Sequence, residues 1–338
     1  MSDFLERLDA VQRRRPVLGL PLAIVYKFFD DQGGYLAAIV TYYAFLAIFP
    51  LMLTGSSVLG FVLQGDPVLK NEVLTSALAQ FPVVGSQLGR PEGLRGSTSA
   101  VVVGALTALY GVVGLGQAAQ NAVNTAWAVP RNSRLNPFVS RLRSLVLFVV
   151  AGFTVLVVAV LSSLASHLEV FGSPADTGLE VLFTLLSLAF NALVLSVMMR
   201  FAVKQRRPLR EILPGGMTVA VLWQLLQWAG GVYVDHVIKR ASEMNGVFAL
   251  VLGLVALIYL ASVMAVLGMQ VNVVVVRRLW PRALLTPFVD DVELTDADRR
   301  AYTAYAKAQR HKGFERVEVS FDDDREESVD GVRGRRAP

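Results

Sequence analysis

The chain has 338 residues, of which 54% are hydrophobic and only 17% are charged, with a net charge of +5 and no cysteine. Soluble domains carry roughly 25% charged residues, so this composition argues against a soluble protein, and the missing cysteines exclude disulfides and cysteine-ligated metals. The positive charge reflects where arginines lie relative to a bilayer, so no nucleic-acid partner is expected.

The first segment, residues 1 to 33, predicts a cytoplasmic helix at the membrane surface. Apolar residues recur at helical spacing among the charges of residues 1 to 15. The next apolar run, residues 16 to 29, is interrupted by Pro21 and Lys27 and is short for a span. An interfacial, amphipathic segment is therefore expected.

Residues 34 to 280 predict an all-α integral membrane domain. Six runs with almost no charged residue are long enough to cross a hydrocarbon core about 30 Å thick. We place these spans at residues 36–63, 98–127, 144–166, 180–199, 212–234 and 246–276.

The orientation of these spans follows from the lysines and arginines of the short loops. One side of the predicted membrane domain carries seventeen basic residues and the other carries five. Because basic loops remain in the cytoplasm, both termini are expected there.

Two segments outside the spans have helical patterns. Residues 64 to 97 predict an external amphipathic helix that lies across the outer mouth of the bundle. In the C-terminal segment, residues 281 to 338, Thr295 and Asp298 have capping-box spacing and predict a helix to about Arg310. A charged tail with few large apolar residues follows, and we expect it to be disordered.

A stripe of amides marks the second span. Gln117, Gln120, Asn121 and Asn124 recur at steps of three and four residues and are expected to share one helix face. They either bond neighbouring helices, which is worth about 1 kcal/mol each, or line a polar path for a headgroup. Glycines in the second, fifth and sixth spans predict close helix packing, and Pro50 predicts a kink or hinge in the first.

The spans contain no Asp, Glu, Lys, Arg or His away from their ends. Pumps and ion-coupled carriers usually hold such a residue at bilayer depth, so ion coupling is not indicated. No cluster of histidines suggests a metal site, and no cofactor is expected.

Four stretches together resemble the YihY/virulence factor BrkB family of bacterial inner-membrane proteins, most closely its YhjD-like branch. They are AAIVTYYAFLAIFPL from Ala37, the segment Gly104 to Trp127, LPGGMTVAVLWQLLQWAGGVY from Leu213, and Gly246 to Asn272. The resemblance implies a polytopic protein of the bacterial inner membrane that moves lipids or lipid-linked envelope precursors.

Two features of the chain bear on the activities attached to this family. The family's final span commonly ends in Gly-Ala-Glu-Leu-Asn, whereas this chain has Gln270 in place of the glutamate, which argues against proton coupling there. A ribonuclease label also attaches to some members. Phosphodiester hydrolysis needs metal-bound water or a positioned acid and base, and the sequence offers neither, so no enzyme is expected.

Two functions remain open from the sequence. In the first, the chain is a transporter or flippase whose partners are membrane lipids and an amphiphilic substrate, and in the second it is a non-transporting scaffold or regulator. The transport hypothesis assigns a headgroup path to the amides of three spans, Gln117, Gln120, Asn121, Asn124, Gln224, Gln227, Gln270 and Asn272. It assigns headgroup capture to cytoplasmic arginines, Arg141, Arg143, Arg206 and Arg207.

Overall fold

The computed structural model describes residues 9–62, 98–170, 177–203, 207–233, 243–284 and 292–321. Within these ranges the chain is helical and has no strand, which confirms the all-α class. The predicted external helix at 64 to 97 and the charged tail after residue 321 lie outside the described residues, as does Arg206.

Residues 9 to 14 are helical and precede the first long helix. The long helices in the described ranges are α1 (Pro16–Asp30), α2 (Gly33–Val62), α3 (Thr98–Ala126), α4 (Pro137–Val170), α5 (Thr177–Ala202), α6 (Leu209–Tyr233), α7 (Glu243–Arg277) and α8 (Asp296–Ala308). Each of the six predicted spans corresponds to one of the helices α2 to α7.

Among the described residues, four helices contain a stretch that is long and apolar enough to cross a membrane. These stretches are Pro137–Thr154, Leu185–Ala202, Leu209–Gly230 and Val251–Arg277. In α2, the apolar stretch whose side chains are described, Gly33–Ile48, is shorter than a span. The helices are therefore where the sequence predicts them, while the number of crossings stays a prediction.

The C-terminal helix α8 begins at the predicted capping box. The hydroxyl of Thr295 accepts from the backbone N–H of Asp298 at 3.1 Å, and the carboxylate of Asp298 accepts from the backbone N–H of Thr295 at 3.0 Å. The helix ends at Ala308, two residues before the expected end. The sequence-based start of this helix is confirmed.

Contacts divide the chain into two compact units. The terminal unit comprises Met1–Asp31, Asn124–Arg134 and Val273–Pro338, and the span unit comprises Gln32–Val123 and Leu135–Asn272. In the span unit, α5 and α6 pack closely against each other, and α4 contacts both α2 and α5.

Glycines allow the helices of the span unit to approach closely. A Cβ atom added to Gly111 of α3 would lie 2.8 Å from Leu46 of α2, and one added to Gly116 would lie 2.6 Å from the hydroxyl of Ser144 on α4. Such distances leave no room for a side chain. The predicted packing role is confirmed for Gly111, Gly114, Gly116 and Gly268.

Candidate functional site

Gln120 joins α3 to α4 in the span unit. Its side chain is buried, and its amide nitrogen donates to the carbonyl of Ser140 and to the hydroxyl of Ser144, each at 3.0 Å. Its amide oxygen accepts from the hydroxyl of Ser140 at 3.1 Å. All of these partners are protein groups, so this amide acts as a link between two helices.

Asn272 joins α7 to α6 in the same unit. Its side-chain oxygen accepts from the backbone N–H of Gly215 at 2.6 Å, and its amide nitrogen lies 3.8 Å from the sulfur of Met199 on α5. A Cβ added to Gly215 would lie 2.6 Å from Cγ of Asn272. The missing side chain at Gly215 therefore permits the hydrogen bond.

Gln270 is the exception among the buried amides of the span unit. Its side chain is 0% exposed, and neither its amide oxygen nor its nitrogen has a hydrogen-bond partner among the described residues. An unmet buried polar group costs about 1–3 kcal/mol. Gln270 precedes Asn272 by two residues and so points to a different side of α7.

The other amides of the proposed path have varied surroundings. Asn124, which belongs to the terminal unit, is 7% exposed and its side-chain oxygen has no partner among the described residues. Gln117 and Gln227 are half-buried, whereas Asn121 and Gln224 are exposed. The four amides of α3 therefore do not share one environment, and the expectation of a uniform interior stripe is not met at Asn121.

The proposed headgroup arginines and the proposed hinge also differ in their surroundings. Arg141 is exposed and Arg143 is half-buried. Arg207 forms an ion pair with Glu211, one turn along α6, at 3.3 Å. Pro50 lies within the helical backbone of α2, in a part where side chains are outside the described residues.

Arg282 is the centre of a buried ionic cluster in the terminal unit. Its side chain is 0% exposed, donates from Nε to Asp298, and donates from Nη2 to Asp30 at 3.1 Å. The rings of Tyr302 and Tyr26 lie 5.4 and 6.0 Å from the guanidinium carbon. Burial alone would lower the pKa of Arg282, but the two carboxylates outweigh it and raise the pKa above its ordinary value.

Lys27 forms the second buried ion pair of this unit. Its ammonium lies 2.6 Å from the carboxylate of Asp31 and 4.7 Å from the ring centre of Tyr305. Burial lowers the pKa of Lys27, while Asp31 opposes that shift. Tyr305 donates to Asp30 at 3.3 Å, and its pKa is raised by burial and by the negative charges of Asp31 and Asp30.

Sequence reasoning missed this cluster because it treated these basic residues only as markers of orientation. One signal was available: Lys27 interrupts an apolar run and has Asp31 four residues later, which is ion-pair spacing on a helix. The contacts of Arg282 with Asp30 and Asp298 join distant segments, and no local pattern indicates them.

A family model described as virulence factor BrkB matches residues 24–286. The chain belongs to the virulence factor BrkB family. The match extends from α1 past the end of α7 and confirms the resemblance seen in the sequence, without resolving the YhjD-like branch. No curated protein and no solved structure matches this BrkB-family chain significantly. Its family and its apolar helices indicate a membrane protein.

The chemistry that the described part of this BrkB-family protein offers is hydrogen bonding by neutral amides in the span unit. Among the described residues there is no group of three His, Asp or Glu side chains placed to hold a metal ion. The ionic groups of the cluster around Arg282 are paired with one another. Buried amides can bind hydroxyl and phosphate groups without moving a charge through the membrane.

Proposed function

We propose that this protein is a transporter or flippase of a lipid or of a lipid-linked envelope component. It acts in the bacterial inner membrane, crosses it six times, keeps both termini in the cytoplasm and performs no enzymatic reaction. Membership of the family supports the membrane setting. The seventeen basic residues on one side against five on the other support the orientation.

Gln270 is the observation that carries the proposal. Buried polar groups in proteins nearly always have a partner, and a group without one destabilises the fold. Both polar atoms of the Gln270 side chain lack a protein partner among the described residues, although the side chain is fully buried in a span. An amide of this kind is suited to a partner that binds transiently, such as the phosphate or hydroxyl groups of a headgroup.

A neutral path fits an amphiphile whose acyl chains remain in lipid while its headgroup crosses between helices. The amides at positions 117 to 124 on α3 and at 270 and 272 on α7 supply donors and acceptors, as do Gln224 and Gln227 on α6. Arg141 and Arg143 would concentrate anionic headgroups at the cytoplasmic entrance, each contributing about 1 kcal/mol. Because Gln270 cannot ionise, it offers no site for a coupled proton.

A scaffold or regulatory protein is the second candidate, and two contacts favour it. Gln120 and Asn272 are each bonded to groups of neighbouring helices, as expected of amides that only hold a bundle together. In that case the amides contribute to stability and bind no substrate.

Replacing Gln270 by Leu separates these two functions. The purified protein would be reconstituted in vesicles that contain a headgroup-labelled phospholipid, and the fraction of label reached by an impermeant reductant would be measured. For Gln270→Leu we expect lipid movement to be lost while the unfolding temperature is unchanged or higher, because the change removes an unmet amide.

Gln120→Leu is the matched control, since it removes an amide that has protein partners on α4. It should lower stability by about 1–3 kcal/mol, because the hydroxyls and carbonyl that it contacts lose a partner. Lipid movement that persists in Gln270→Leu, or that is absent from the unmodified protein, would refute the transport proposal.

A further inference from the structure

A turn after α8 exposes a large apolar side chain among basic residues. Phe314 is 88% exposed, more than any other large hydrophobic residue among those described. Lys307, Lys312 and Arg316 are exposed too, and their side chains make no hydrogen bond or ion pair with the described residues. Three exposed cations thus lie close in sequence to one exposed aromatic side chain.

Hydrogen bonds fix the shape of this turn. Arg310 donates to the carbonyl of Lys312 at 3.1 Å and also to that of Gly313. The carboxylate of Glu315 accepts from the backbone N–H of His311 at 2.7 Å, and this bond lowers the pKa of Glu315. Phe314 is therefore presented at the tip of a preorganised turn.

The same turn borders a cavity of about 410 Å³, large enough for a phosphate-bearing headgroup. Its lining includes Lys307, Arg310, Phe314 and Arg316. The lining also includes Glu315, whose carboxylate accepts from the backbone N–H of His311, so three basic side chains and one acidic side chain meet Phe314 at this opening. The excess of basic groups matches a ligand that has an anionic head beside an apolar body.

Contacts within the terminal unit connect the turn to the end of a span. Arg277, the last residue of the candidate span Val251–Arg277, donates to the carbonyl of Trp127 at 2.6 Å. Asn132 follows Trp127 by five residues in the segment between α3 and α4, and its backbone N–H donates to the carbonyl of Arg310 at 3.2 Å. Through these bonds the turn is linked to the C-terminal end of the candidate span in α7.

We propose that the turn formed by residues 307 to 317 docks on an anionic lipid surface, with Phe314 inserted among the headgroups and Lys307, Lys312 and Arg316 bound to lipid phosphates. The binding partner is the lipid leaflet itself, because the surface combines positive charge with one apolar anchor and lies beside a candidate span. The cytoplasmic location of the turn rests on the proposed function, whereas the docking itself requires only anionic lipid.

A spin label next to Phe314 tests the docking in the intact protein. The chain has no cysteine, so Gly313→Cys gives a single labelling site, and a Cβ there meets nothing within 4 Å. In nanodiscs the label's collisions with oxygen and with an aqueous nickel complex report its depth. We expect shielding from nickel with phosphatidylglycerol present and loss of that shielding in pure phosphatidylcholine.

Variants and a control label separate docking from general burial. Phe314→Ser should abolish the shielding, and each of Lys307→Gln, Lys312→Gln and Arg316→Gln should lower the ratio of docked to free label by about fivefold. The control, Ser320→Cys in the same C-terminal segment, should remain accessible to nickel in both lipids.

Three results would overturn the docking proposal. They are full nickel access at position 313 in anionic discs, equal shielding with and without anionic lipid, and shielding that appears only when a soluble polyanion such as RNA is added. Nanodiscs expose both membrane faces, so the measurement depends neither on the orientation of the protein nor on lipid transport. A failure here is therefore distinguishable from a failure of the transport proposal.

Discussion

Asp298 performs two tasks with one carboxylate. One oxygen pairs with the guanidinium of Arg282, and the other accepts backbone N–H bonds from Thr295 and Ala283, each at 3.0 Å. The carboxylate that completes the capping box of α8 thus also neutralises a buried arginine. Removing one partner of a buried pair typically costs about 3–5 kcal/mol, because the other charge is left uncompensated.

Tyr305 gives the cluster a measurable response to alkaline pH. Its pKa lies above the ordinary value of 10.0 in the folded protein, so the hydroxyl stays protonated while the unfolded chain ionises. The stability that this tyrosine contributes is present below pH 10 and is lost as the pH rises further. The Tyr305→Phe variant lacks that ionisation. We therefore expect the free energy of unfolding of the wild type to exceed that of the variant by about 1 kcal/mol at pH 8. This difference should fall by about 1.4 kcal/mol per pH unit above pH 10.

Thermal unfolding of both proteins in detergent between pH 8 and 11 would measure this difference. Parallel stability curves across the whole range would show that Tyr305 ionises equally in the folded and unfolded chains.

The amides show what the sequence could not predict about single residues. Residues 120 and 121 were assigned to one face, yet successive residues differ by about 100° around a helix. Gln120 is buried and Asn121 is exposed. The partners of Gln120 are on α4, and which helix lies beside α3 cannot be derived from the pattern of α3 alone.

The helices themselves were the most predictable elements, because long uncharged runs and a capping box are local signals. The contacts between helices were less predictable. Gly215 and Gly216 of α6 approach α7 and α5, and the same predicted span also contains Gly230 and Gly231. The sequence does not show which of these four glycines permits a close approach, because that depends on the residues of the neighbouring helices.

Gly215→Ala tests the approach of α6 to α7. The added Cβ would clash with the carbonyl of Gly268 and with the amide of Asn272, so the helices must separate and the bond from Gly215 to Asn272 must lengthen. We expect a loss of about 1–3 kcal/mol, measured by thermal unfolding in detergent.

Gly152→Ala on α4 is the matched control, because a Cβ at that position meets nothing within 4 Å. Its stability should be unchanged or slightly higher, since alanine favours helix. Equal effects of the two substitutions would show that the contact between α6 and α7 is not tight.

For the whole molecule, the sequence correctly predicts an all-helical membrane protein of the BrkB family. Its orientation stays a prediction from the count of basic residues, because no contact within the protein reveals it. The ionic cluster of the terminal unit could not be predicted, because it joins residues from both ends of the described chain.

Reporter fusions would test the orientation of the protein. A reporter after Pro338 and one inserted between residues 171 and 176 are expected on opposite sides, the first in the cytoplasm and the second outside. A pair of reporters on the same side would contradict the six-span arrangement.

The ion pair between Arg282 and Asp30 also has a meaning for biosynthesis, since 252 residues separate its members. At about 5–20 residues per second, a ribosome needs roughly 13–50 s to make the intervening chain. During that interval Asp30 and Lys27 have not met Arg282 and Tyr305. A chain that stops before α8 lacks Asp298 and Tyr305, which are partners of Arg282 and Asp30. The ionic cluster can therefore be completed only after α8 has been synthesised.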